Sequence, residues 1–208
     1  MERPRRSDMA EHWPLDANIS FLNHGSFGAC PTAVIEEQRR WQDLLEKEPV
    51  AFFEDISPDA LAKVREELGI FLNCAADDLA LITNATSGVN TILRSLIFTS
   101  KDEILVPDHA YQACRNAIDF VAQRWGAKVV TCQIPCPIDS NQQIMDIVMG
   151  AVTKRTKLVM IDTVTSPTGL RMPFEQLTAE IEAKGIQVLL DAAHGPGMIP
   201  LDLRGVGA

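Results

Sequence analysis

The chain has 208 residues, enough for one large domain or two small ones, and its 46% hydrophobic and 23% charged residues are typical of a globular protein. Its 19 basic and 28 acidic residues give a formal net charge of −9, which argues against a nucleic-acid or membrane-surface partner. No apolar run is long enough to span a bilayer and none follows the basic N-terminus, so we expect neither a membrane anchor nor a signal peptide.

The cysteines indicate the redox environment. Their number is odd and they lack the paired spacing of a metal site, so we interpret them as buried reduced thiols. They are Cys30, Cys74, Cys114, Cys132 and Cys136. Reduced thiols predict a cytoplasmic protein without a metal centre.

The N-terminal quarter predicts an arm followed by helices. Residues 1–18 are polar and contain proline, which is typical of an arm, and an apolar stretch at 19–22 leads into a predicted loop at 23–28. A helix is predicted over 31–48, and a second begins at Ser57, with Ser57 as its cap and Pro58 at its first position.

From residue 79 onward, short apolar segments alternate with amphipathic helices. The predicted strands cover 79–82, 103–106, 128–134, 158–164 and 186–190. The predicted helices cover 86–98, 111–125, 141–152 and 174–183. This alternation predicts an α/β fold with a mostly parallel sheet and helices on both faces. Ligands of such sheets bind outside the carboxyl ends of the strands, so the residues at those ends are the candidate site.

The segment after the first predicted strand is a candidate phosphate site. Small and hydroxylic residues at 83–90 open a helix there, and free N–H groups with the positive end of the helix dipole favour an anion. The alternative is a plain helix cap by Asn84 or Thr86. Neither a Gly-Lys-Ser/Thr loop nor a G-x-G-x-x-G fingerprint is present, which argues against a nucleotide-binding domain.

Two further strand ends carry polar side chains. His109 follows the next strand and is suited to stacking on a flat cofactor or to proton transfer, although it can equally be a solvated loop histidine. The segment 165–169 holds hydroxyls in a turn that Pro167 and Gly169 constrain, and it can equally be an ordinary turn.

The last predicted strand ends at Asp191-Ala192-Ala193-His194. A carboxylate at the buried end of a strand is poorly solvated and needs a partner. One such partner is a pyridinium nitrogen, as in pyridoxal phosphate (PLP). A helix cap or a loop salt bridge is the alternative. Because four strand ends of one sheet carry such groups, a shared ligand site explains them better than four separate coincidences.

This ordered set of motifs resembles the class V aminotransferase family of fold-type I PLP enzymes, and most of all its isopenicillin N epimerase-like and cysteine desulfurase-like branch. The segments that carry the resemblance are 22–28, 84–90, 108–111, 166–169 and 191–195. The resemblance implies that residues 19–208 form the PLP-binding large domain of that fold. Within it, Ala85 and Thr86 would hold the phosphate, His109 would stack on the pyridine ring as the candidate catalytic residue, and Asp191 would pair with the ring nitrogen.

Further roles follow from the same resemblance. Ser166 would lie near the phenolic oxygen of the cofactor, where related enzymes often have an asparagine. His194 would take the place where cysteine desulfurases often have a glutamine that touches the same oxygen. Asn23 and His24 would lie near the substrate.

The resemblance also implies parts that we do not find in the sequence. The family's Schiff-base lysine follows the aspartate strand, and a C-terminal small domain supplies an arginine for the substrate carboxylate. No lysine follows Lys184 here, so we expect the chain to be the front part of a longer enzyme and to be inactive by itself. The full-length protein is expected to be a cytoplasmic homodimer that acts on an amino acid through a Cα carbanion.

The reaction itself stays open at this point. Epimerisation, desulfuration, lyase chemistry and transamination all fit the residues in hand. A non-catalytic fragment that binds PLP weakly, or that serves as an interaction module, is the alternative of a different class.

Overall fold

The computed structural model describes residues 6–207. By its internal contacts the chain divides into two compact units, Met1–Glu66 and Glu67–Ala208. The boundary at residue 18, expected between an arm and a single large domain, stays a prediction. Within the described residues, no helix is both long and apolar enough to cross a membrane.

The first unit begins with a short 3-10 helix, Asp8–His12, and continues through α1 (His24–Phe27) and α2 (Thr32–Lys47). The prediction of a loop at 23–28 is wrong, because α1 forms a single helical turn there. Aromatic packing accounts for the turn: the His24 ring lies edge-on to Phe21, with ring centroids 4.8 Å apart, and to Trp13, at 6.3 Å. The Trp13 indole also donates a hydrogen bond to the Ala29 carbonyl at 3.0 Å.

Three consecutive helical segments follow, namely α3 (Pro49–Ala51), a π-helical turn (Phe52–Ile56) and α4 (Ser57–Leu72). The prediction that Ser57 caps a new helix is wrong, because Ser57 has helical φ and ψ angles of −66° and −35°. The cap lies upstream, where the Glu48 side chain accepts a hydrogen bond from the Ala51 N–H. The wider π turn relieves the clash that Pro58 would otherwise make with the preceding helical turn.

The second unit contains four parallel strands, in the order β2-β1-β3-β4. They are β1 (Glu103–Pro107), β2 (Lys128–Cys132), β3 (Thr156–Asp162) and β4 (Gln187–Asp191). The helices are α5 (Ala85–Ser95), α6 (Gln112–Trp125), α7 (Asn141–Ala151), α8 (Phe174–Glu182) and α9 (Leu203–Val206). The α/β fold with a parallel sheet is thus confirmed, and the strands and helices predicted from residue 86 onward differ from the observed ones by a few residues at their ends.

The strand predicted at 79–82 is wrong. Its backbone is extended at Leu79, but within the described residues no strand pairs with it. Leu81 and Ile82 are both about half exposed, at 49% and 54%. A strand requires hydrogen bonds to a neighbour as well as a suitable residue pattern, and the pattern alone misleads here.

Both faces of the sheet are buried, because alternate strand residues point into two separate cores. Ile104, Val106 and Met160 pack with α5 and α6 on one face, which we call the α5/α6 face. Leu105, Val159 and Ile161 pack with α7 and α8 on the other. The sheet is therefore fixed in register on both sides, and this rigidity extends to the residues at the strand ends.

The strand order creates a crevice between β1 and β3. The chain leaves β1 for β2 through α6 on one face, and it leaves β3 for β4 through α8 on the opposite face. The connections therefore diverge at the carboxyl ends of β1 and β3, which is where open α/β sheets bind their ligands.

Candidate active site

The N-terminus of α5 is capped by Asn84. This residue is extended, and its side-chain oxygen accepts a hydrogen bond from the Ser87 N–H at 2.8 Å. Of the two caps considered from the sequence, Asn84 is therefore the observed one. The first N–H groups of a helix have no intrahelical partner, so those of Ala85 and Thr86 are suited to an anion. Both residues are half-buried.

Asp191 ends β4 and is only 5% exposed. One carboxylate oxygen accepts the Ala193 N–H at 3.0 Å, and the other accepts the Cys114 thiol at 3.3 Å. Both donors are electrically neutral, and among the described residues no cation forms an ion pair with Asp191. The salt-bridge alternative for this carboxylate therefore finds no support in the described part of the chain. A buried carboxylate with one neutral donor at each oxygen keeps lone pairs for a cationic donor.

Asp162 ends the neighbouring strand β3 in register with Asp191. It is 3% exposed, and its Oδ2 atom has no hydrogen-bond partner among the described residues. Burial raises the pKa of Asp162 to about 7, and the negative charge of Asp191 adds to this shift. The carboxyl group of Asp162 therefore changes between its protonated and ionised forms near neutral pH.

Cys114 on α6 lies beneath these carboxylates. Burial raises the pKa of its thiol to about 12, and the charge of Asp191 and the hydrogen bond to Asp191 act in the same direction. The Thr86 side chain opposes the shift. The hydrogen bond of Cys114 joins α6 to the end of β4.

His109 follows β1 and meets the turn that follows β3. The Thr168 hydroxyl lies 3.1 Å from the His109 Nδ1 atom and 2.7 Å from the Thr165 hydroxyl. Thr165 is buried, and its hydroxyl accepts the Leu170 N–H at 3.0 Å. These bonds join the segment after β1 to the turn after β3 and hold one nitrogen of the imidazole.

The other residues predicted from the sequence lie as follows. Ser166 is half-buried in the same turn as Thr168. His194 is half-buried in the turn after Asp191, which a hydrogen bond from the Gly195 N–H to the Ala192 carbonyl closes at 2.8 Å. Asn23 and His24 belong to the first unit, where His24 lines a mostly apolar cavity of about 890 Å³.

Three residues of this cluster were missed by sequence reasoning, namely Cys114, Asp162 and Thr168. Asp162 carried a signal, because an acid at the end of an apolar strand has the same character as Asp191. The interpretation of the cysteines as buried thiols is correct for Cys114 but omits its contact with Asp191, and it is wrong for Cys30 and Cys136, which are exposed. Thr168 had no signal that distinguished it from Ser166.

Comparison with known proteins places the chain in a family. The family model for class-V aminotransferases matches residues 51–208. Isopenicillin N epimerase from Streptomyces clavuligerus is 34% identical over 189 residues, which cover 91% of this chain and 48% of that protein. Putative L-cysteine desulfhydrase 1 from Oryza sativa subsp. japonica is 28% identical over 218 residues, which cover 98% of this chain and 45% of that protein.

Solved structures show the same fold. A variant of the enzyme C-DES with glycine covalently linked to its PLP cofactor superposes with a TM-score of 0.84 at 22% identity, covering 97% of this chain and 53% of that chain. The cysteine desulfurase CsdA from Escherichia coli superposes with a TM-score of 0.79 at 21% identity, and the match covers 95% of this chain and 51% of that chain. The chain thus spans about half the length of the relatives that it matches. The chain belongs to the class-V aminotransferase family.

Proposed function

We propose that this chain is the cofactor-binding part of a PLP enzyme that breaks a bond at the Cα of an amino acid, most like an isopenicillin N epimerase. The observation that carries the proposal is Asp191, a buried carboxylate at the crevice end of the sheet with only neutral donors within the described residues. A cysteine desulfhydrase or desulfurase of the same family is the alternative.

The residues present fit PLP. Asp191 can accept a pyridinium N–H, because its two hydrogen bonds leave carboxylate lone pairs unused. The N-terminus of α5 offers N–H groups and the Thr86 hydroxyl to a phosphate. His109 presents a planar ring after β1, held by the Thr168 hydroxyl. Groups that suit a cationic nitrogen, a phosphate and an aromatic ring therefore all occur at one edge of one sheet.

When bound, the cofactor supplies an electron sink for the electron pair left at Cα. The role of Asp191 is to keep the ring nitrogen protonated by placing a buried negative charge beside it. Ala85 and Thr86 hold the phosphate, and His109 stacks on the ring and moves a proton at Cα. Ser166 and His194 hold the phenolic oxygen in this proposal.

The substrate side of the proposal rests on the first unit. His24 and Asn23 are proposed to face the amino acid. The aromatic cluster of His24, Phe21 and Trp13 supports this role, because it provides an apolar surface with one titratable ring.

The sequence identities support the epimerase branch, because this chain is 34% identical to the epimerase and 28% identical to the desulfhydrase from Oryza sativa. The desulfhydrase nevertheless aligns with a larger share of this chain, 98% against 91%. Identities this close do not separate two reactions that both begin at the same carbon. The reaction is therefore the part of the proposal that a direct assay has to decide.

The test uses the full-length gene product, purified, freed of cofactor and reloaded with PLP. We expect PLP absorption to remain with the protein after gel filtration. L-Cysteine would then be assayed for sulfide release, and a panel of amino acids for exchange of the Cα hydrogen with deuterated water. Exchange without sulfide release supports epimerisation, and sulfide release supports the alternative. Stable PLP binding without either reaction would favour a non-catalytic binding module, and failure to bind PLP would overturn the proposal.

A further inference from the structure

We propose that Cys114 is a positioning residue for Asp191, whose carboxylate it holds ready for a cationic ring nitrogen through a thiol hydrogen bond. This inference deepens the proposed function and rests on it. It adds to the site a residue whose side chain would act only through Asp191.

The geometry defines what the thiol does. Cys114 on α6 is 1% exposed and Asp191 on β4 is 5% exposed, and 77 positions of sequence separate them. The Cys114 sulfur lies 3.3 Å from Oδ2 of Asp191, while the Ala193 N–H donates to Oδ1 at 3.0 Å. With one donor at each oxygen, the plane of the carboxylate is fixed from two sides.

The direction of this hydrogen bond follows from the charge around it. Burial and the neighbouring carboxylate raise the pKa of Cys114 to about 12, so the sulfur carries its proton at physiological pH. A protonated thiol beside a carboxylate donates, and Asp191 is left as the acceptor. The Thr86 side chain acts on the thiol in the opposite direction, as the smallest of the contributions to its pKa.

A second observation indicates that this cluster is built for a ligand. Asp162 lies beside Asp191 on the same face and is 3% exposed, yet its Oδ2 atom has no hydrogen-bond partner among the described residues. A buried unpartnered carboxyl group is costly, and a cationic donor entering the crevice would reduce that cost. Cys114 and Ala193 hold one oxygen each of Asp191, which fixes its carboxylate beside this unpartnered group.

The contact itself can be tested without cofactor. In the cofactor-free full-length protein, the S–H stretching band of Cys114 is identified in the infrared by its loss in Cys114→Ala. We expect Asp191→Asn to move this band to higher frequency, because an amide oxygen is a weaker acceptor than a carboxylate. A Cys114 band that does not respond to Asp191→Asn would overturn the inference even if the enzyme binds PLP.

The consequence for binding is then measured as the dissociation constant of PLP. Loss of one weak hydrogen bond to a charged group predicts binding about three- to tenfold weaker in Cys114→Ala. Cys114→Ser restores a donor and should return affinity to within about twofold of wild type. Cys132→Ala is the matched control, because Cys132 is also buried and reduced but lies in the core on the opposite face of the sheet.

The outcomes separate this inference from the proposed function. Wild type that does not bind PLP overturns the proposed function and, with it, this inference. Wild type that binds PLP, with equal affinity in Cys114→Ala, overturns the inference alone. An equal loss in Cys114→Ala and Cys132→Ala would also overturn it, because the effect would then be one of core packing.

Discussion

Asp162 and Asp191 are direct neighbours in register at the carboxyl ends of β3 and β4, and their side chains lie on the α5/α6 face of the sheet. Two carboxyl groups in one buried site cannot both be ionised without cost. The pKa of Asp162 is raised to about 7, chiefly by burial and further by the charge of Asp191. Asp162 is therefore the member of the pair whose pKa lies near neutrality.

The first prediction concerns stability and pH. Because the folded protein holds the Asp162 proton up to about pH 7, against an ordinary pKa of 3.8, the stability that this proton provides is complete below 3.8 and is lost as pH rises to about 7. Asp162→Asn cannot ionise. Its free energy of unfolding relative to wild type should therefore increase from acid to neutral pH, by on the order of 2–4 kcal/mol.

Denaturant titrations of full-length wild type and variant at a series of pH values measure this difference. The control is Asp146→Asn, which replaces an exposed aspartate on α7 and should leave the pH profile unchanged. Profiles that stay parallel for wild type and Asp162→Asn would show that folding does not raise the pKa of Asp162.

The second prediction concerns Asp191 and turnover. Asp191→Ala removes the buried negative charge proposed to keep the ring nitrogen protonated, so turnover by the PLP-loaded full-length enzyme should fall by orders of magnitude. Steady-state kinetics with the substrate identified by the assays above provide the measurement. Near-normal turnover in Asp191→Ala would remove the basis of its assigned role.

The third prediction concerns the phosphate end of the site. Thr86→Val keeps the shape of the side chain and removes its hydroxyl, so PLP binding should weaken by roughly 1–2 kcal/mol. Thr91→Val serves as the control on the same helix, because the Thr91 hydroxyl donates to the Ser87 carbonyl within α5. Titrations at matched ionic strength compare the two variants. Equal affinities in Thr86→Val and wild type would place the phosphate elsewhere.

The fourth prediction concerns the His109 ring. Because the Thr168 hydroxyl is the group that lies within hydrogen-bond distance of Nδ1, Thr168→Val should change the ¹⁵N chemical shift of that nitrogen in histidine-labelled protein. Ser166→Ala, a change in the same turn, should leave the ¹⁵N chemical shift of His109 Nδ1 unchanged. The reverse result, with Ser166→Ala as the change that moves the shift, would contradict the contact between Thr168 and His109.

Local patterns determined much of the fold. The alternation of short apolar runs with amphipathic helices predicted four of the strands and the helices around them, because each core face requires its own residue spacing. Gly126 and Gly185 follow the predicted helices 111–125 and 174–183, and both adopt the positive φ that glycine favours at helix ends, at 71° and 74°. The position of Asp191 at a strand end also followed from the sequence, since the apolar residues 188–190 lead directly to it.

Tertiary structure decided the contacts between these elements. The segment 79–82 has the residues of a strand but no described partner, and the hydrogen bonds of a strand come from a neighbour that no local pattern specifies. Strand order and register place Asp162 beside Asp191, and helix packing places Cys114 beneath it. The sequence by itself determined which chemical groups this protein carries at its strand ends. Only the fold decided which of them touch, because those contacts join residues far apart in the chain.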